Sequence, residues 1–197
     1  MTVKRLIDIF GALIGLIFTG LIFPFVWLAV KIEDGGRAII KLDRISRGQV
    51  IKVFKFRSMI EGAHKLKPQL SHLNERGDGP FFKIKNDPRI TKVGRVIRKF
   101  RLDEFPQFWN VLKGEMSLVG PRPHEPEEVK RYPPEFRKLS LAKAGITGWS
   151  QINGASSLPF LKELELDDYY LKHQSLWLDL KIIFKTISVL FVDPTAV

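Results

Sequence analysis

From Ile9 to Val30 the chain runs for 22 residues without a charged side chain, and no other feature limits its folding as much. As a helix this stretch is about 33 Å long, which matches the hydrocarbon thickness of a bilayer. A buried soluble helix that is apolar on every side is out of scale with a chain of 197 residues. A cleaved leader needs a shorter apolar stretch and a small-residue cleavage site, and Trp27-Leu28-Ala29-Val30-Lys31 offers none. Membrane insertion is therefore expected. Basic residues flank both ends, Lys4 and Arg5 before the run, then Lys31, Arg37, Lys41, Arg44 and Arg47 after it. Positive flanks favour the cytoplasm, so a straight span places one of them outside, whereas a re-entrant hairpin keeps both inside. Pro24 removes a backbone donor within the run and suits either a kinked span or a hairpin. From the residues alone the two topologies stand level.

The remainder reads as a basic, core-forming domain. Hydrophobic residues make up 45% of the chain, enough for a packed core, and 32 Lys and Arg against 21 Asp and Glu leave a net charge of +11. The absence of cysteine excludes disulfides, thiolate metal sites and cysteine nucleophiles. Short alternating runs between residues 38 and 56 predict a β-hairpin turning at Arg47-Gly48. Residues 62–74 read as mixed and helical. Helices are expected from Asp87 through Arg98, from Asp103 through Leu112, from Glu125 to Ser140 with an interruption at Pro133-Pro134, and from Phe160 to Val192. The last part of that final stretch interleaves Lys181 and Lys185 with apolar residues, an amphipathic pattern suited to a core or to a membrane surface. The expected fold class is mainly α with a small β-hairpin.

Charge concentrates between Lys83 and Arg101, where eight cations accompany a single acid, Asp87. Asp103 and Glu104 follow, then Phe105-Pro106. Asp is a preferred helix N-cap and Pro is tolerated in a first turn, so both carboxylates are expected at a helix N-terminus beside cations, where the ionised form is favoured. Two readings remain open. Asp103 caps the helix and Glu104 steadies its first turn; or the pair does chemistry on an anionic substrate, as a nucleophile toward phosphorus and as a ligand for Mg²⁺ that bridges phosphate oxygens.

The block from Arg98 to Pro123, with Leu102-Asp103-Glu104-Phe105-Pro106-Gln107 at its centre and Gly120-Pro121-Arg122-Pro123 at its end, strongly resembles the signature of the bacterial sugar transferases, also called monotopic phosphoglycosyl transferases. Lys55-Phe56-Arg57-Ser58-Met59, Asp87-Pro88-Arg89-Ile90-Thr91, Gly145-Ile146-Thr147-Gly148-Trp149-Ser150-Gln151-Ile152-Asn153-Gly154 and Ser175-Leu176-Trp177-Leu178-Asp179 match further family blocks in order. The sequence departs from the family pattern at Phe23, Ala144 and Ala155, the last standing where an arginine near substrate phosphate is usual.

The resemblance implies transfer of a sugar-1-phosphate from a nucleotide diphosphate sugar, usually UDP-linked, to a polyprenyl phosphate, with release of UMP. By analogy Asp103 is the nucleophile, forming an aspartyl phosphosugar in a ping-pong cycle, and Glu104 holds Mg²⁺. Arg98 matches a phosphate-contacting arginine of the family. Lys55 and Asp179 match functional positions and serve equally well in structural ion pairs. Arg122, mounted between prolines, suits an anion contact or a stiff turn. The resemblance also implies a re-entrant membrane helix broken at Pro24 over residues 1–34, and a compact catalytic domain over residues 35–197 on the cytoplasmic face of the bacterial inner membrane, ending in an amphipathic interfacial helix. Anionic lipid is the expected surface. The oligomeric state is left open.

Two other classes compete with this reading. A nucleic-acid-binding protein accounts for the basic runs and not for Ile9–Val30, and no helix-turn-helix or RNP pattern is present, so no nucleic acid partner is expected. An inactive membrane scaffold of the same fold accounts for Ala155 and not for an intact Asp103-Glu104 pair. His64, His72, His124 and His173 have no metal spacing and read as surface or structural residues.

Overall fold

The structure, a computed structural model, describes residues 3–154 and 157–192; Ala155 lies outside the described residues. In chain order the elements are α1 (Val3–Asp34), β1 (Ile39–Ser46), β2 (Gln49–Phe56), α2 (Lys92–Lys99), α3 (Phe108–Lys113), β3 (Ser117–Val119), α4 (Pro126–Val129), β4 (Gly145–Thr147), α5 (Trp149–Ile152), α6 (Phe160–Lys172) and α7 (Leu176–Val192). Short 3₁₀ turns join several of them.

α1 is one helix of 32 residues, about 48 Å long, and it continues through Pro24. The expected interruption of the helix at that proline is not observed, although Pro24 still cannot donate to the backbone ladder. Asp8, Ala12, Gly15, Thr19, Val26 and Val30 are buried at spacings of three, four and seven, which is one stripe of an α-helix. Gly15 is required there, because a Cβ would stand 2.4 Å from the Phe108 ring. Phe10, Ile17, Leu21, Phe25 and Ile32 point away from the protein and are exposed.

Polar groups fasten both ends of α1 to the same body. At its start Lys4 Nζ donates to the Val119 carbonyl at 3.0 Å and to Asp179 Oδ2 at 2.6 Å. Arg5 donates to the Val111 and Leu112 carbonyls at the C-terminus of α3, where a cation complements the helix dipole. Asp8 accepts from the Ser117 hydroxyl and the Leu118 amide. At its end Glu33 accepts from the first amides of α2, Lys92 N at 2.6 Å and Val93 N at 3.1 Å, and Asp34 pairs with Arg57.

The hairpin turns at Arg47-Gly48 as expected, with φ of 54° and 71°. Positive φ at both central residues is the two-residue turn whose twist suits paired strands. The free edge of β2 is closed by a side chain. Asn110, fully buried on α3, accepts from the Phe54 amide at 3.1 Å and donates to the Lys52 carbonyl at 2.8 Å, standing in for a neighbouring strand. β3 and β4 form a parallel pair, with Ser117 opposite Gly145 and Val119 opposite Thr147. Three residues per strand are too few to leave a readable period, and the sequence showed neither.

Several helix limits differ from expectation. α2 begins at Lys92, capped by Thr91 Oγ1 accepting from Gly94 N at 2.9 Å; Asp87 instead pairs with Arg89 in the preceding turn. The 103–112 helix is a 3₁₀ turn, Leu102–Gln107, followed by α3. Residues 125–140 divide into α4 and a 3₁₀ segment, Pro134–Leu141. The long C-terminal stretch breaks into α6 and α7 around His173–Ser175, and residues 62–74 hold only two 3₁₀ turns. On α7 Trp177, Leu180, Phe184 and Ile187 are exposed while Ile182 and Asp179 are buried.

Replacing Asn110 by Ala leaves two strand groups and Glu115 Oε2 without their partner. We expect a loss of about 2–4 kcal/mol, read as a lowered midpoint in thermal or denaturant unfolding of detergent-solubilised protein.

Candidate active site

Arg101 opens the 3₁₀ turn Leu102–Gln107 with φ of 51°, a left-handed conformation that costs a non-glycine residue about 1 kcal/mol. This sharp entry presents the next two carboxylates to β2. Lys55 Nζ, from β2, lies 3.3 Å from Asp103 Oδ2 and 2.9 Å from Glu104 Oε1. Neither acid caps a helix; the expected capping role of Asp103 falls away, because Arg101 holds the cap position and no side chain bonds there. One lysine therefore joins the two acids whose neighbouring positions made their roles ambiguous in the sequence.

Around this trio lies a cleft of about 830 Å³, which Arg98 and Arg122 also line. Arg98 projects from α2 and its Nε donates to Ser58 Oγ at 2.9 Å. Arg122 follows β3; its backbone amide donates to Asp167 Oδ2 at 3.1 Å and its Nε is 3.9 Å from Glu163 Oε1. Asp179 is not brought to the cleft. It is buried between Lys4 and Tyr170, whose hydroxyl donates to it at 2.6 Å, and the ion-pair alternative describes its place.

The two acids differ electrostatically. Burial raises the Asp103 carboxyl above its ordinary range against the pull of Lys55, and the charge of Glu104 adds to the rise. For Glu104 the same burial is outweighed by Lys55, Arg122 and Arg101, which hold its carboxyl below the ordinary range. Neighbouring cations are expected to favour both carboxylates; for Asp103 desolvation raises the carboxyl against them.

A buried polar cluster behind Arg122 escaped the sequence reading. Glu163 on α6 accepts from or pairs with His124 at 3.2 Å and Arg76 at 3.6 Å, and His124 Nδ1 meets the Tyr132 hydroxyl. His124 is thus a structural histidine. Burial pushes Asp167, one turn further along α6, up to about 6. The available signal was positional. Glu163 and Asp167 share the buried stripe of α6 with Phe160, Leu164 and Tyr170.

Among the described residues no group of three or more metal-ligating side chains exists. Glu104, with Asp103 beside it, still suits Mg²⁺, which usually takes one or two carboxylates and completes its shell with water and substrate phosphate.

Comparison with known proteins agrees across the chain. The family model described as bacterial sugar transferase matches residues 1–193. The galactosyl transferase CpsE of Streptococcus agalactiae is 42% identical over 195 residues, covering 98% of this chain and 43% of that protein. The undecaprenyl-phosphate galactose phosphotransferase of Salmonella typhimurium is 40% identical over 190 residues, covering 94% and 40%. The exopolysaccharide production protein ExoY of Rhizobium meliloti is 36% identical over 188 residues, covering 93% and 83%. This chain thus spans about two fifths of the length of the first two relatives and most of the third.

The raised Asp103 carboxyl carries a stability prediction. A group that binds its proton more tightly when folded destabilises the fold as pH climbs from its unfolded value of 3.8 through its folded one. Asp103→Asn should therefore melt higher than the wild type at neutral pH, with the difference narrowing as pH falls toward 4. A variant that melts lower at neutral pH would show that the Lys55 pairing outweighs the burial.

Proposed function

The chain belongs to the bacterial sugar transferase family, and from that premise we propose that it moves a sugar-1-phosphate from a UDP-sugar to a membrane polyprenyl phosphate. The observation that carries this reading is the Asp103–Lys55–Glu104 trio in a cation-lined cleft, beside a helix with one face apolar and exposed.

Asp103 Oδ attacks the β-phosphorus of the donor. The bond from that phosphorus to the bridging oxygen breaks, UMP leaves with the electron pair, and an aspartyl phosphosugar remains. A phosphate oxygen of the polyprenyl phosphate then attacks the same phosphorus, forming the lipid diphosphosugar and returning Asp103 as a carboxylate. Two displacements at one phosphorus make the cycle ping-pong. Lys55 orients Asp103 and offsets charge that accumulates on the transferring phosphoryl group. Arg98 and Arg122 supply further fixed positive charge to the donor's phosphates. Glu104, kept ionised by its cations, would hold Mg²⁺, which neutralises diphosphate charge when bound.

The membrane reading follows from α1. Lys4, Arg5 and Asp8 at one end and Glu33 and Asp34 at the other bond to one body, which favours both ends lying on one side of a bilayer over a transverse span. The exposed apolar faces of α1 and α7 would enter the lipid, with the basic domain at the cytoplasmic surface of the inner membrane.

Two measurements test these statements. Intact-mass spectrometry with Mg²⁺ and a panel of UDP-sugars, without lipid acceptor, should reveal a phosphosugar-sized adduct that Asp103→Asn abolishes. UMP release by that variant at the wild-type rate would remove Asp103 as nucleophile. Cysteines placed at Val3 and at Arg37 should both resist membrane-impermeant thiol reagents in intact cells, and labelling of one alone would establish a transverse span.

A further inference from the structure

The hairpin gives the cleft a length scale. Lys55 is paired with Ile40 and Ile51 with Arg44, and alternation puts Ile40, Leu42 and Arg44 on one face of β1. Arg44 therefore stands about 14 Å along the strand from the Lys55 rung, and both positions line the same cleft. At the Arg44 end Glu125 lies between two cations. Lys67 Nζ is 2.8 Å from its Oε2 and Arg44 Nη2 is 3.5 Å from its Oε1. The three side chains keep 31%, 18% and 27% exposure for Lys67, Arg44 and Glu125, so a ligand reaches all of them. Phe82 stands beside the row, half-buried, its ring centroid 5.6 Å from Lys67 Nζ.

A carboxylate flanked by a cation on each side presents donor, acceptor and donor in sequence. Burial raises the Glu125 carboxyl, but Lys67 and Arg44 outweigh it and hold the group ionised, so the middle position only accepts. Glu125 also accepts from the Glu128 amide at the start of α4, and a carboxylate with about four lone-pair sites has capacity left. The edge of uracil is the complement of this row: a carbonyl oxygen, an N3–H, and a second carbonyl oxygen. Cytosine replaces the N3–H with a bare nitrogen and one carbonyl with an amino group, which puts acceptor against acceptor and donor against donor. A diphosphate and a ribose extend on the order of 10 Å at ordinary bond lengths, which carries a base from Asp103 to this end of the cleft. Arg89 also lies over the Phe82 ring, 5.1 Å from its centroid, so this side of the row carries a third cation.

We propose that the Arg44–Glu125–Lys67 row reads the pyrimidine edge of the donor nucleotide, with Glu125 accepting from the uracil N3–H. The assignment rests on the reading of the substrate as a nucleotide diphosphate sugar. It makes the base specificity a property of a site remote from the reacting carboxylates.

The test compares UMP and CMP by calorimetry and as inhibitors of UDP-sugar turnover, in the wild type, in Glu125→Gln and in Lys67→Met, with inorganic pyrophosphate as a control ligand. The wild type should prefer UMP by 10- to 100-fold. Glu125→Gln should lose most of that preference, because an amide can turn to donate to the bare cytosine nitrogen. Lys67→Met should weaken UMP about tenfold at an unchanged melting temperature, with pyrophosphate binding retained. Equal binding of UMP and CMP by the wild type overturns the proposal, as does an unchanged preference in Glu125→Gln. A parallel loss of pyrophosphate in Lys67→Met overturns it too, since the cations would then hold phosphates. A wild type that neither turns over UDP-sugars nor binds UMP overturns the functional reading itself, an outcome distinct from turnover without base preference.

Discussion

The fold depends on a helix that serves two environments at once. The buried stripe of α1, from Asp8 through Val30, supplies Ala12 to one hydrophobic core and Val26 and Val30 to another, so the body is not complete without it. Its opposite side exposes Phe10, Ile17, Leu21 and Phe25, side chains that water does not favour. A helix in isolation would be free to cross a bilayer. One whose first and last turns both bond to a single body, through Lys4 and Glu33, is held to that body at both ends. On α7 Trp177, Phe184 and Ile187 are exposed as well.

At the cleft the governing fact is competition for Lys55. Two adjacent carboxylates share one ammonium, and the remaining cations are distributed unequally between them. For Glu104, Lys55, Arg122 and Arg101 together outweigh burial; for Asp103 burial, with the charge of Glu104, outweighs Lys55 and Arg98. Such an environment makes two neighbouring acids electrostatically unequal.

Much of this was legible in the residues, and what was not has physical causes. The Ile9–Val30 run and the Arg47-Gly48 turn depend on local chemistry, and each is found where local chemistry places it; the Asp103-Glu104 pair lies instead within a 3₁₀ turn that Arg101 opens. Helix limits failed where tertiary partners decide them: Glu33, 59 residues away from Lys92, helps to start α2, and no window around residue 92 contains it. The β3–β4 pair is too short for periodicity to detect. Asp103 illustrates the electrostatic version of the same limit. Nearby cations are visible in the sequence and predict an ionised acid, but the desolvation that opposes them depends on the folded cleft. Asp179, matched by motif, belongs to the fastening of α1, because Lys4 reaches it from 175 positions away.

Those fastenings also tie the membrane helix to the reacting groups. Glu33 and Asp34 end α1, and they bond respectively to the first amides of α2 and to Arg57 just after β2. The next residue, Ser58, accepts from the Arg98 guanidinium at the far end of α2. Its carbonyl receives the Thr91 amide at 3.2 Å, and α2 approaches so closely that a Cβ on Gly94 would stand 1.9 Å from that oxygen. Only glycine permits the contact. α2 is therefore held at its start by the end of α1 and along its length by Ser58, two residues beyond the strand that bears Lys55. The position of α1 is thus linked through a few short bonds to Arg98 and Lys55. Such a linkage ties the placement of the cation-lined cleft to that of the helix with the exposed apolar face.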